Sequence, residues 1–258
     1  MLRIISMALM LLLCVFLASG EKYLTEKPDF LQPCSVTASS FTNCLASNIE
    51  NILKEWKDGI PELPTVTAID PLEIQRIVVD GDPLSPIGIH LELENVVVEG
   101  ISDAQLTEAS YKAKPLSIQS TFVVPKIVIS GDYNITGHLL EYPLDGTGKA
   151  SLTIEQILVD MNKRFLVREE RNVIFTDIER LHLNVRDING LHLRLDNKAA
   201  ESKANEILNQ NEPGIFEILR PSLNGAFGRI IKDHLSKIFA YVPANYIFEG
   251  IPVASRRY

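Results

Sequence analysis

The sequence contains few of the residues from which metal centres and redox sites are built. Its 258 residues include three cysteines, five histidines and one tryptophan. No two cysteines have the CxxC spacing of redox or zinc sites, and no two histidines have HExxH or HxH spacing. These absences exclude the common zinc-enzyme and dithiol signatures. We therefore predict neither a metal nor a cofactor.

An excess of basic residues and a second long apolar run are also missing. The chain has 25 lysines and arginines against 33 aspartates and glutamates, for a formal net charge of -8. An acidic protein lacks the electrostatic surface that attracts nucleic acid or anionic membranes. After the N-terminus, no apolar stretch approaches the length of a membrane span. We expect no nucleic-acid partner and no stable membrane insertion.

The first twenty residues, "MLRIISMALMLLLCVFLASG", have the three-part pattern of a secretory signal peptide. Arg3 precedes an apolar segment over residues 4–17, and small residues lead up to Gly20. The sequence therefore predicts a cleaved signal peptide at 1–20 and an extracellular protein. The remaining residues, 21–258, contain no linker-like stretch, so we expect a single domain.

Two cysteines remain after cleavage, because Cys14 lies in the signal peptide. Cys34 and Cys44 form an even pair in an oxidising compartment, which favours a disulfide. It would close a loop of about 10 residues and stabilise by roughly 2–3 kcal/mol. Asn134 begins the glycosylation sequon Asn-Ile-Thr.

The hydrophobic period changes twice along the chain. Residues 40–56 have an apolar stripe at helical spacing, with Ser40 as the candidate N-cap. From 65 to 195 the period is two, which is typical of long antiparallel strands, and glycines such as Gly146 and Gly148 mark turns. After residue 197 the period returns to 3.6 and predicts one long helix, with a kink at Pro221. The simplest way to bury both apolar surfaces is a sheet wrapped around that helix.

The stretch "RLHLNVRDINGLHLRLD" at 180–196 raises the question of a histidine site. Asn189-Gly190 is a hairpin signal. A three-residue loop over 188–190 segregates the side chains, with His182 facing Asp196 on the polar face. We therefore predict that His182 and His192 are exposed, and that the neighbouring apolar residues face inward: Leu181, Leu183, Val185, Leu193 and Leu195.

The sequence offers one weak nucleophile motif. "GISDA" at 100–104 begins like a Gly-x-Ser-x-Gly elbow, but Ala104 replaces the second glycine. The acidic residues are scattered and identify no general acid/base pair. We therefore predict no enzyme activity, with hydrolysis of lipophilic esters through Ser102 as an alternative.

Several blocks resemble the insect takeout and juvenile-hormone-binding protein family, in order and over nearly the whole mature chain. They are "DFLQPC", the following cysteine, "GIPELPTVTAIDPLEIQRIVV", "NVVVEGISDAQLTEASY", "PKIVISGDYNITGHLLEYPLDGTGKASL" and "NEILNQNEPGIFEILRPSLNGAFGRIIKDHLSKIF". The chain departs from the family after its last strand, where it reads "LRLDNKAAESK". With two mature cysteines it is closer to the takeout branch than to hormone carriers with a second bridge.

The resemblance implies an α+β fold, related to lipid-transfer and bactericidal permeability protein domains. A strongly curved antiparallel sheet would wrap a long C-terminal helix around an internal apolar tunnel. It implies a secreted carrier of a terpenoid, fatty acid or other long-chain lipid, with a hormonal, chemosensory or feeding-related role, and a Cys34–Cys44 disulfide. The residues predicted to line the tunnel are Leu183, Val185, Leu193, Leu219, Leu223 and Phe227. A secreted interaction protein with a closed core is the remaining alternative, and neither interpretation identifies a receptor.

Overall fold

The computed structural model describes residues 23–196 and 198–252. Most of this chain is strand, followed by one long helix near the C-terminus. The predicted signal peptide lies outside the described residues. The elements in chain order are β1 (Cys34–Ser35), α1 (Phe41–Glu55), β2 (Gly59–Ile60), β3 (Leu63–Thr67), β4 (Leu72–Asp80), β5 (Ile87–Glu99), β6 (Gln105–Ala113), β7 (Leu116–Leu139), β8 (Tyr142–Glu170), β9 (Val173–Asp187), β10 (Leu191–Leu195), α2 (Lys198–Tyr241) and β11 (Phe248–Glu249).

Seven strands form one open antiparallel sheet. Its central path runs β10-β8-β7-β5-β4, while β6 pairs with β7 and β9 pairs with β8. The two longest strands, β7 and β8, pair from Ser117–Arg164 to Leu139–Tyr142. Strand β4 forms one edge of the sheet, and β9 and β10 follow each other along the opposite edge.

The glycines of "DGTGKAS" do not make the predicted turn, because Gly146 and Gly148 lie inside β8. The chain reverses earlier, between Leu139 and Tyr142. These glycines instead allow neighbouring side chains to approach the strand. A Cβ at Gly148 would lie 2.2 Å from a carboxylate oxygen of Asp196, and one at Gly146 would lie 3.8 Å from the Tyr133 hydroxyl.

The predicted hairpin at Asn189-Gly190 is wrong. Strands β9 and β10 do not pair with each other: Asp187 pairs with Leu158 of β8, and Leu191 pairs with Ile154 further along the same strand. The intervening residues are a local irregularity in which Asn189 N–H donates to Glu155 O and Glu155 N–H donates to Gly190 O. A turn-forming dipeptide is compatible with such a bulge as well as with a hairpin. Strand β8 is long enough to pair with both β9 and β10, and its length therefore decides for the bulge.

Both helices form where the periodicity predicts them. Helix α1 buries Phe41, Leu45, Asn48 and Leu53, and Ser40 is its N-cap residue but makes no side-chain cap hydrogen bond. Helix α2 is continuous for 44 residues and passes through Pro213 and Pro221 without a break.

Three clusters of buried apolar side chains follow the length of α2. The disulfide-end cluster contains Ile238 of α2 and Val242, which follows the helix, together with Leu31, Cys34 and α1 residues. The middle cluster contains Ala226 of α2 with β4, β5 and β7 residues. The far-end cluster contains Ile207 and Ile215 of α2 with Ile87, Ile89 and Leu139. The core is therefore arranged along the helix, between α2 and one face of the sheet.

Candidate functional site

The interior wall opposite the second half of α2 is formed by β8 and β9. Met161 pairs with Leu183, and Val159 pairs with Val185. Leu183 is buried, and a methyl group at Gly228 of α2 would lie 3.7 Å from its Cβ. The small residue thus lets the helix backbone approach this wall closely.

One turn of α2 bonds to both edges of the sheet. The Ser222 hydroxyl donates to Asp80 O on β4 at 2.7 Å. Asn224 Oδ1 accepts from Val185 N–H on β9 at 2.9 Å, and its Nδ2 donates to Asn184 Oδ1 at 3.0 Å. The sheet itself is not closed, and this turn of α2 contacts both of its edges.

Further side chains of α2 occupy the β9–β10 edge. Asn205 Nδ2 donates to Leu193 O at 2.8 Å, and Lys232 Nζ donates to Glu179 O at 3.1 Å. These bonds satisfy backbone groups that an edge strand leaves unpaired. The helix is therefore positioned by polar contacts at the edges and by apolar contacts in the interior.

The six predicted lining residues are all at least partly buried, but they do not form a single group. Leu183 exposes 7% of its surface, and the other five are half-buried. Phe227 packs against the middle cluster and Leu219 against the far-end cluster. The described contacts thus place Leu219 and Phe227 in two different clusters, and Val185, Leu193 and Leu223 are half-buried on β9, β10 and α2.

A buried lysine that is not among the predicted site residues also lies on the interior face. Lys163 exposes 7% of its surface, and its Nζ donates to Ser120 Oγ at 2.7 Å and lies 5.6 Å from the Phe122 ring centroid. Burial lowers the pKa of Lys163 to about 8. No carboxylate of the described residues lies within ion-pair distance of this ammonium group. The signal was present in "MNKRF", where the lysine occupies an inward position between Met161 and Phe165.

A second buried polar atom belongs to the same row of the sheet. Tyr111 pairs with Ile118, which pairs in turn with Lys163. The Tyr111 hydroxyl is buried and has no hydrogen-bond partner among the described residues, and burial raises its pKa. Lys163 and Tyr111 therefore place two polar groups in one row of the sheet at the disulfide end.

The two histidines of the Leu-His-Leu repeat are exposed, as predicted, and the apolar residues between them are partly or fully buried. His182 does not face Asp196, however, because the hairpin is absent. Asp196 instead accepts from Lys149 N–H at 2.9 Å. The described residues contain no group of three or more potential metal ligands.

His182 lines an open cavity of about 370 Å³ together with Glu108, Gln119, Asp160 and Asn162. A second cavity, of about 500 Å³, is lined by Glu92, Asp132, Lys149 and the sequon residue Asn134, among others. Both cavities are lined mainly by polar side chains, so neither has the character of the predicted apolar tunnel. Asn134 is exposed on β7.

Ser102 has a local structural role. Its hydroxyl donates to Asp70, and the same carboxylate accepts the N–H groups of Gly100 and Ser102 at 3.0 and 2.8 Å. Gly100 has a φ of 97° and lies against Lys126 O, where a Cβ would not fit. The "GISDA" motif is therefore a turn anchored by Asp70, and no histidine is among the described hydrogen-bond partners of Ser102.

Cys34 and Cys44 form a disulfide that ties the N-terminal segment to α1. The buried Asn48 lies beside it. Its Oδ1 accepts from Gln32 N–H at 2.9 Å, and its Nδ2 donates to Gln32 O at 2.6 Å.

No helix among the described residues is long and apolar enough to cross a membrane.

Comparison with known proteins identifies the fold and the family. The crystal structure of Takeout 1 from Epiphyas postvittana matches with a TM-score of 0.71 at 19% identity, over 85% of this chain and 100% of that chain. Lipopolysaccharide binding protein matches with a TM-score of only 0.37 at 12% identity, over 78% of this chain and 40% of that one. A search of curated sequences found no match. The model of the haemolymph juvenile hormone binding protein family matches residues 10–249, and this chain therefore belongs to that family.

Proposed function

We propose that the protein is a secreted carrier that holds a small hydrophobic ligand between the sheet and α2. The observation that carries this proposal is the pair of bonds from Ser222 and Asn224 to opposite edges of the sheet. With both edges on one helical turn, the sheet would curve around α2 and enclose an apolar tunnel. The family name, which refers to juvenile hormone binding, supports the same class of ligand.

Burial of the ligand supplies the affinity. A chain of about 15 carbons gains roughly 12 kcal/mol at about 0.8 kcal/mol per methylene group. Association costs about 4 kcal/mol or more, which leaves roughly micromolar affinity. The half-buried apolar residues of β9, β10 and α2, including Val185, Leu193 and Leu223, would supply the contact surface.

A binding protein fits the geometry better than a hydrolase does. The Ser102 hydroxyl donates to a carboxylate that already accepts two backbone N–H groups. A nucleophilic serine needs a base that accepts its proton and a neighbouring oxyanion site. We expect a fluorophosphonate probe to leave Ser102 unlabelled, and labelling that disappears in Ser102→Ala would favour the hydrolase.

The proposal includes secretion and modification. Residues 1–20 would be removed as a signal peptide, residues 21–258 would fold as one domain, and the exposed Asn134 would accept a glycan. The intact mass of the secreted protein, before and after glycosidase treatment, measures both events.

Native mass spectrometry of the secreted protein tests the carrier function. We expect co-purified lipid, or uptake of terpenoids or fatty acids after delipidation. Leu223→Trp adds bulk to the proposed interior and should reduce uptake several-fold. Leu84→Trp is the matched control, because Leu84 is 95% exposed. A folded protein that retains and takes up no lipid would refute the carrier function.

A further inference from the structure

The disulfide end of the interior contains a positive charge that no carboxylate of the described residues compensates. Lys163 is more than nine-tenths buried, on the same face of the sheet as Ile118 and Phe165. An ammonium group taken out of water is costly unless an opposite charge or several hydrogen bonds compensate it. The contacts at Nζ are one hydroxyl and one aromatic face.

The hydrogen-bonding capacity of this group is only partly used. A lysine ammonium has three N–H donors. One donates to Ser120 Oγ, and Ser120 in turn donates to Met161 O at 3.3 Å. The Phe122 ring attracts the cation weakly at 5.6 Å. At least one strong donor therefore remains for an acceptor that the described residues do not provide.

The surroundings determine which acceptor fits. Met161 and Leu181 flank Lys163 on β8 and β9, and Leu235 and Phe239 of α2 belong to the same apolar cluster. A free inorganic anion would gain no apolar contact there. An amphipathic molecule would place its acidic end on the lysine and its hydrocarbon along the sheet–helix interior.

The unpartnered Tyr111 hydroxyl is a separate indication of a polar ligand group. It lies one strand beyond Ile118, so its Cα is about 10 Å from that of Lys163 at two strand spacings. A buried hydroxyl without a partner costs free energy in the unliganded protein.

We propose that Lys163 binds the carboxylate of the hydrophobic ligand, so that the carrier selects long-chain carboxylic acids over their neutral esters and alcohols. This inference rests on the proposed carrier function and narrows its ligand class. Ser120 is a positioning residue that holds the ammonium group toward the interior. The ligand carboxylate would accept from Nζ, and its hydrocarbon would extend toward Leu183.

Equilibrium dialysis of delipidated protein at pH 7 against labelled hexadecanoic acid and its methyl ester tests the selectivity. Hydrogen bonds to charged groups correspond to roughly ten- to hundred-fold in affinity, so wild type should prefer the acid by about that factor. In Lys163→Met the preference should fall to within about twofold, while the ester binds as before. Lys163→Gln, also neutral, should behave in the same way if Lys163→Met folds poorly.

Lys126→Met is the matched control, because Lys126 is exposed on β7 and should leave the acid preference unchanged. Equal wild-type affinity for acid and ester would overturn the carboxylate assignment and leave the carrier function intact. An acid preference that survives in Lys163→Met would also overturn it. Failure of both ligands to bind would instead refute the carrier function itself.

Discussion

The two ends of the interior are built differently. At the disulfide end, buried apolar residues from the N-terminal segment, α1, several strands and the end of α2 form one cluster. At the far end, the described buried apolar residues join the ends of β5 and β7 to the first half of α2. The disulfide end is cross-linked and has several layers, whereas the far end is formed by strand tips. We therefore expect the disulfide end to resist deformation more strongly.

We expect the two ends to contribute differently to stability and to ligand entry. The disulfide and Asn48 connect the N-terminal segment to α1, and Phe165 packs edge-to-face on Phe239 of α2. No comparable cross-link is described at the far end. We therefore expect the disulfide end to carry most of the stability and the far end to open more readily for a ligand, because local opening requires few buried contacts.

The largest expected effects come from two matched core deletions. Leu31 and Ile87 are both completely buried, one at each end. Leu31→Ala should lower the free energy of unfolding by about 4 kcal/mol, and Ile87→Ala by about 2–3 kcal/mol, because strand tips relax into a cavity more easily than a multilayered core does. Urea unfolding of both variants measures the contrast. Equal costs, or a larger cost at Ile87, would contradict it.

The next effect is a gain in stability from Lys163→Met. The pKa of Lys163 is about 8 in the folded chain and 10.5 for the unperturbed side chain. The unfolded chain therefore binds more protons between these values, and wild-type stability should rise with pH across this window. At pH 7 the variant should be more stable by about 3 kcal/mol, because the two pKa values differ by about 2.5 and each pKa unit corresponds to about 1.4 kcal/mol.

The gain should shrink toward zero as the pH approaches 10.5. Urea unfolding of wild type and variant at pH 7 and pH 10 measures the difference, in which other titrating groups cancel. A variant that is less stable at pH 7 would show that the lysine has a structural role.

A smaller effect is expected at the boundary between the two ends. Asn224→Ala removes the acceptor for Val185 N–H and should cost about 1–2 kcal/mol, because a half-buried donor loses its partner. The Val185 amide should also exchange its hydrogen faster. Ser222→Ala, which removes one hydroxyl donor at the opposite edge, should cost about 1 kcal/mol or less. Unchanged exchange at Val185 would mean that water replaces Asn224 without loss.

Local periodicity predicted the elements well and their partners less well. The 3.6 period located α1 and α2, and alternation correctly assigned the exposed sides of His182 and His192. The pairing of β9 and β10 with β8, instead of with each other, was missed because Asn-Gly is compatible with both a hairpin and a bulge. Only the 29-residue length of β8, a property of the whole sheet, distinguishes them.

For Lys163 the local pattern was informative, but the residue type was misleading. Its inward position follows from simple alternation with Met161 and Phe165, but a lysine is normally assigned to the surface from its residue type. The neighbours that leave it buried, Ser120 on β7 and Leu181 on β9, are more than 15 residues away along the chain. That no described carboxylate pairs with it emerges only when all the strands are assembled.

The double attachment of one helical turn has a consequence for the dimensions of a ligand. Because Ser222 and Asn224 bond to opposite sheet edges, the edges cannot separate at this level without breaking one of the two bonds. The width of a ligand enclosed there is limited by the lengths of these side chains. Its length along α2 is not limited by the two bonds. Slender chains of varied length should therefore fit such a carrier better than broad, fused-ring molecules of the same mass.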